Sequence, residues 1–234
     1  QRQMCIRDRM IDLDPQGNTT SGLGMEVDDK SIYEVIMGRM KLTDVMEETE
    51  FKNLSIAGSD VRLANAELEL VEVEKREYRL KTAVQSVRQD FDFIFIDCPP
   101  SLGLLTINAL GAADSVLIPI QCEYYALEGV ASLMNTISRV KKTINPHLEI
   151  EGVLLTMLDG RTNLGLQVVD EVKKHFKKQV YATVIPRSVR LGEAPSHGEP
   201  IHVYDKRSAG CVAYVNLAKE VLKRNNIKVK EFKL

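Results

Sequence analysis

Two hydrophobic patterns alternate along the chain. Strand-length runs, FDFIFID at 91–97, SVLIPI at 115–120 and EIEGVLLTML at 149–158, carry apolar residues on both faces. Each reads as a strand covered on both sides, as in a parallel sheet. KNLSIAGS at 52–59 and YATVIP at 181–186 read as shorter strands. Between them apolar positions recur with the helical period, over 102–113, 125–144, 163–176 and 208–226. Thr162 or Asn163 is placed to cap the third of these, and the basic last turn of the second suits the helix dipole. The stretch from Ser31 to Arg88 is otherwise mostly helical in pattern. Strand and helix alternating in this way predict an α/β fold with a mostly parallel sheet and helices on both faces. No internal repeat or Gly/Pro/Ser-rich linker divides the chain, so residues 10–226 are expected to form one domain, with a basic tail over 227–234.

Composition narrows the class. With 234 residues, 44% of them hydrophobic, the chain is long enough for a substantial core. No apolar run reaches membrane-spanning length and no apolar leader region is present, so a cytoplasmic protein is expected. Four separated cysteines, none in a Cys-x-x-Cys pair, read as free thiols. The net charge of −2 conceals an asymmetry. Residues 161–234 hold 15 Lys and Arg against 7 Asp and Glu, while residues 1–160 hold 16 against 26. A basic last third on an acidic body suits contact with a polyanion, although Lys173, Lys174, Lys177 and Lys178 also suit the wet face of a helix.

Two segments put acids where a parallel sheet keeps its chemistry. IDLDPQGN ends in Asp12 and Asp14, and FIFIDCPPS ends in Asp97, followed by Cys98, Pro99, Pro100 and Ser101. Ligands of open α/β sheets bind beyond the carboxyl ends of the strands. An apolar strand ending in Asp is a common way to hold Mg²⁺ in a nucleotide-hydrolysing site. One such strand means little, because any strand may end in Asp; two, each followed by a Pro-bearing loop, carry more weight.

These segments, with IPIQCEYYALEG, DGRTNLGLQVVDEV and IPRSVRLGEAPSHGEPIHVYDKRSAG, resemble the ParA/Soj family of chromosome- and plasmid-partitioning ATPases over residues 10–226. The resemblance implies a P-loop NTPase-like fold of the ParA/MinD type and an ATP-dependent homodimer. The dimer would bind double-stranded DNA non-specifically at the nucleoid and be stimulated by a ParB-type centromere-binding partner. It implies ATP and Mg²⁺ as ligands. Asp14 then corresponds to the acid that orients the attacking water, with Asp12 beside it. Asp97 corresponds to the acid that holds Mg²⁺ through water. Residues 98–101, Pro99 among them, correspond to the loop that senses the γ-phosphate. Met157, Pro186 and Arg187 correspond to residues enclosing adenine. Arg161 and Arg190, extended by Lys206 and Arg207, correspond to the DNA-binding cations, all within the basic third. Phosphate contacts from such cations give sequence-independent binding.

The resemblance also calls for a Lys-Gly-Gly-x-Gly-Lys-[Ser/Thr]-[Ser/Thr] loop whose N–H groups cradle phosphate. No glycine of this chain is followed by lysine. The expectation is therefore that the first βα unit of the fold is missing, and that the chain as written binds ATP poorly. The polar opening QRQMCIRDR, residues 1–9, resembles translated adapter sequence and is expected to be non-native.

Other readings follow from single features. A MinD-like membrane ATPase would need an amphipathic C-terminal helix, and NNIKVKEFKL at 225–234 is short for that; no stable membrane association is expected. A nitrogenase iron-protein relative would need paired cluster cysteines, which Cys98 and Cys122 do not supply convincingly. A non-enzymatic DNA-binding adaptor remains open on the missing loop alone. His197 and His202 read as non-ligands, Cys98 as a small buried thiol, and Tyr124-Tyr125 as packing residues. The loop at Glu193-Ala-Pro-Ser is open between a structural role and one near the nucleotide.

Overall fold

A computed structural model describes residues 8–123 and 126–227, with the side chains of 126 and 127 left aside. Cys5, the Tyr124-Tyr125 pair and the tail from 228 lie outside the described residues. The chain divides into two compact units, residues 1–114 with 136–148 and residues 115–135 with 149–234.

The first unit opens with β1 (Asp8–Asp12) and the short helices α1 (Asn18–Gly22) and α2 (Ile32–Ile36). Then come β2 (Met46–Glu48), β3 (Leu54–Ala57), α3 (Leu63–Glu69), α4 (Arg79–Gln85), β4 (Phe93–Asp97) and α5 (Leu104–Ala112). Its sheet has the order β2-β3-β1-β4. β1 runs parallel to both neighbours, and β2 joins antiparallel at one edge. The core collects Ile11, Leu13, Ile32, Ile36, Leu42, Leu63, Leu70, Leu80 and Leu105, each 0–2% exposed.

β1 takes in Asp8 and Arg9, two of the polar residues at the start of the chain. A parallel strand with neighbours on both sides suits such groups badly. The Asp8 Oδ1 atom is buried without a hydrogen bond. Burial, with Asp92 alongside, raises the Asp8 carboxyl to about 6. β4, whose sequence reads as covered on both faces, is instead an edge strand among the described residues, and Phe95 is 46% exposed. An edge leaves one row of backbone groups unpaired and one flank of the side chains open.

The second unit contains β5 (Ser115–Gln121), the start of α6 (Ala126–Thr143), β6 (Glu149–Leu158), α7 (Asn163–Phe176) and β7 (Val180–Pro186). It ends with α8 (Val189–Glu193), α9 (Ile201–Tyr204) and α10 (Ala209–Arg224). The three strands are parallel in the order β5-β6-β7. α7 buries Val168, Val169, Val172 and Phe176, and the Thr162 hydroxyl caps it by accepting the Gly165 N–H. α10 lays Ala213 and Leu217 on Leu154, Tyr181 and Ile185. The outcome is the expected mostly parallel α/β architecture, with the short antiparallel β2 as an addition that the polar sequence Met-Glu-Glu did not announce.

Candidate functional site

Asp12 and Asp97 are register partners at the carboxyl ends of the adjacent parallel strands β1 and β4. The ladder continues one step further, with the Leu13 N–H donating to the Asp97 carbonyl at 2.8 Å. Side chains in parallel register share a face, so the two acids rise side by side at the sheet end.

Their surroundings differ. Asp12 is fully buried. Its Oδ2 accepts the Thr20 N–H at 2.9 Å and the Thr20 hydroxyl at 2.7 Å, and its Oδ1 accepts the Asp14 N–H at 3.2 Å. Burial raises its pKa, and the Thr20 and Asp14 hydrogen bonds oppose that shift. Thr20 in turn accepts the Ser59 N–H at 3.0 Å, so one carboxylate ties together the ends of β1 and β3 and helix α1. Asp14 stands in the loop that follows. Its Oδ1 accepts the Gln16 N–H at 3.0 Å, and Gly17 closes the turn onto the Asp14 carbonyl at 2.9 Å. Gly17 has φ +62, a left-handed conformation that strains residues with a Cβ. Asp97 is exposed and accepts the Thr19 hydroxyl at 2.6 Å.

The loop after β4 is stapled from α5. The Thr106 hydroxyl donates to the Ser101 carbonyl at 2.6 Å, with the Pro99 carbonyl 3.5 Å away. From α3, Glu67 accepts the Leu105 N–H at 3.2 Å in the first turn of α5. A Cβ at Gly103 would lie 2.2 Å from a Glu67 oxygen, so a side chain there would push the Glu67 carboxylate aside. Burial, with Asp97 and Asp14 nearby, pushes the Cys98 thiol up to about 12, so it stays protonated at neutral pH.

In the second unit, Met157, Pro186 and Arg187 come together at the carboxyl ends of β6 and β7. Leu158 is paired with Pro186, and the Arg187 N–H donates to the Leu158 carbonyl at 3.0 Å. Met157 has φ +52, a strained backbone conformation for a residue with a side chain. Arg187 forms an ion pair with Glu123. Beside them Leu158, Gly160 and Pro186, with Ala209, Val212 and Asn216 of α10, line a groove of about 780 Å³, the size of a small-molecule site. Arg161 and Arg207 follow closely on, or precede, residues that line this groove. Arg161 is 88% exposed on its side chain and is held by Asp159 at 2.7 Å. Arg190 pairs with Glu193 at 2.9 Å and with Asp205 at 3.6 Å, whereas Lys206 and Arg207 are exposed. The carboxylates and the Pro99 loop thus lie in the first unit, and the adenine and DNA candidates in the second. Thr19, Thr20, Ser59 and Glu67 were not anticipated. The Thr-Thr pair directly after Gly17-Asn18 was the available signal for the first two.

The mostly parallel sheets with acids at their carboxyl ends have the α/β fold of solved P-loop NTPase-like proteins of the ParA/MinD type. The chain matches the AAA domain family over residues 3–150. It is 58% identical to the sporulation initiation inhibitor protein Soj of Bacillus subtilis over 91% of this chain and 85% of that one. It is 50% identical to the chromosome partitioning protein ParA of Myxococcus xanthus over 95% of this chain and 79% of that one. Among solved structures, cobyrinic acid a,c-diamide synthase of Mycobacterium smegmatis, with bound ADP and magnesium, aligns with a TM-score of 0.81 at 35% identity, covering 94% of this chain and 83% of that one. The chain belongs to the ParA/Soj family of chromosome-partitioning ATPases.

Proposed function

We propose that this protein hydrolyses ATP with Mg²⁺ and couples the cycle to DNA partitioning. It acts as an ATP-dependent homodimer that binds double-stranded DNA without sequence preference at the nucleoid, in the cytoplasm, and is stimulated by a ParB-type partner. The observation that carries this reading is the in-register pair Asp12 and Asp97, with Asp14 two residues on and the Thr19 hydroxyl on Asp97, in a member of this family.

The residues present fit magnesium, since carboxylate and hydroxyl oxygens are the hard donors it takes. When bound, Mg²⁺ neutralises charge that develops on the phosphates. Asp97 would hold the ion through water, with the Thr19 hydroxyl fixing the carboxylate's orientation. Asp14 orients the attacking water. Its Oδ1 is held by Gln16, and its Oδ2 accepts no hydrogen bond among the described residues. An oxygen with no protein donor is open to accept a hydrogen bond from water, which suits it to orient the nucleophile. Asp12, with both oxygens engaged, positions the loop that carries Asp14. Met157, Pro186 and Arg187 flank the adenine beside the groove. Arg161, Arg190, Lys206 and Arg207 contact DNA phosphates, Arg190 by exchanging its bond to Glu193 for one to phosphate.

The sequence holds no Gly-Lys step, so the chain alone is expected to bind ATP weakly. The test measures phosphate release by this chain joined behind a Lys-Gly-Gly-x-Gly-Lys-Thr-Thr segment with its strand and helix. Mg²⁺-dependent release that Asp97→Ala abolishes supports the reading. Release that survives Asp97→Ala overturns it.

A further inference from the structure

Arg161 and Arg190 are already bound to acids. Arg161 holds Asp159 through two parallel bonds, Nε to Oδ1 at 2.9 Å and Nη2 to Oδ2 at 2.7 Å. This is the fork in which a guanidinium takes a phosphate. Arg190 meets two acids from different elements. Its Nη1 donates to Glu193 Oε2 at 2.9 Å, at the end of α8, and its Nε lies 3.6 Å from Asp205 Oδ2, just after α9. A phosphate can chelate a guanidinium along the Nη1–Nη2 edge or the Nε–Nη2 edge. On Arg190 each of these edges has one nitrogen committed to a carboxylate.

The acids are themselves held in place. Tyr204 Oη donates to Glu193 Oε2 at 3.2 Å, and the Ser196 hydroxyl donates to the Glu193 carbonyl at 2.7 Å. Asp159 Oδ1 also accepts the Arg161 N–H at 3.1 Å, and the Asp159 carbonyl accepts the Thr162 hydroxyl at 3.0 Å at the start of α7. Both ion pairs face water, where such pairs add little to a fold. What they govern is which other anions the arginines can bind. Lys206 and Arg207, by contrast, are exposed and form no ion pair among the described residues. Residues 187–208 carry four Lys and Arg against three Asp and Glu, so one carboxylate is a large part of the local balance.

We infer that Asp159 and Glu193 are internal stand-ins for phosphate, which occupy the anion-binding edges of Arg161 and Arg190 and set the affinity of this surface for duplex DNA. A DNA phosphate that displaces a carboxylate exchanges one charge-assisted bond for another, so each arginine gains little from the exchange. Lys206 and Arg207 make the first contacts, and the two arginines follow against closely spaced phosphates. The Glu193-Ala-Pro-Ser loop thereby acquires a role, since it holds an acid that competes with DNA. The inference rests on the reading of Arg161 and Arg190 as DNA contacts; Asp159 and Glu193 are positioning residues that act through them.

The test titrates the full chain into a fluorescent DNA duplex of about 24 base pairs and follows anisotropy over a series of salt concentrations. Asp159→Asn and Glu193→Gln keep the size and an accepting oxygen of each side chain, and an unchanged melting curve confirms that each variant is folded. Each should tighten binding about threefold at low salt, and the two together about tenfold. In the parent a displaced carboxylate recaptures a cation, which cancels counterion release by its arginine. Each variant should therefore also steepen the fall of log affinity with log salt, by up to about 0.9. In an Arg190→Ala background Glu193→Gln should change affinity little. Variants that bind no better than the parent overturn the proposal, and so does an equal gain in the Arg190→Ala background, because the carboxylate then acts through the general field. The two levels of failure are separable. Binding weakened by Arg161→Ala and Arg190→Ala but unmoved by the two acid variants removes only the role of the acids. Binding unmoved by Arg161→Ala and Arg190→Ala removes the DNA reading of the arginines with it.

Discussion

Asp12 and Asp14 are two residues apart and do opposite things. Asp12 gives every oxygen to the protein, while Asp14 keeps one for solvent. The strand-end pattern made both acids visible in the sequence. It could not separate their roles, because the separation depends on Thr20, eight residues on, and through it on Ser59. Thr19 was invisible for the same reason, since its partner Asp97 is 78 positions away. At the other end of β1, Asp8 tests the cost of a carboxylate in a central strand. Its folded value of about 6 lies above the ordinary 3.8, so the fold favours the protonated form. Stability from this group is therefore fully present below about pH 4 and is lost as pH rises through 6. Urea midpoints should fall over that interval in the parent chain, and Asp8→Asn should flatten the fall and raise the midpoint at pH 7. An unchanged slope in Asp8→Asn would place the titrating group elsewhere.

Helices with a strong apolar stripe were legible to within a residue or two. α7 follows the pattern over 163–176, and α10 lies inside the expected 208–226. What the pattern could not reveal is how β7 joins α10. The β6–β7 register shifts between Val153 and Leu155, which takes the Ala182 and Thr183 N–H groups out of the ladder. Glu220 of α10 accepts both, at 2.9 and 3.0 Å. Burial alone would raise the Glu220 pKa, but these N–H groups and Arg224 outweigh it and hold it low. Arg224 packs over the Tyr181 ring and donates to the Val180 carbonyl at 3.0 Å. Glu220→Ala strands two backbone donors, and should lower stability by about 2 kcal/mol in urea unfolding; a loss below half of that would show that water replaces the carboxylate. The edge position of β4 was also illegible. FIFID has the composition of a central strand, and composition does not say how many neighbours a strand has among the described residues.

At the scale of the whole chain, alternating strand and helix patterns carried the α/β class, and five motif segments carried the family. The division into two sheets was not legible, because strand pairing is decided by contacts far apart in sequence. The charge asymmetry was legible, but what it does depends on pairing. Arg161 and Arg190 both sit in ion pairs, whereas Lys206 and Arg207 project unpaired among the described residues. Arg190→Glu in the loop-joined protein should weaken DNA binding at least tenfold while leaving DNA-independent phosphate release intact. Wild-type affinity should fall steeply with salt whatever the DNA sequence, and an affinity indifferent to salt would remove the phosphate-contact reading. The central claim is that the carboxyl ends of β1 and β4 form a nucleotide-hydrolysis site in which Asp14 orients water. Single-turnover hydrolysis by the loop-joined protein with Asp14→Ala tests it most directly. The account predicts that ATP stays bound while phosphate release falls about a hundredfold or more; release at the parent rate would contradict it.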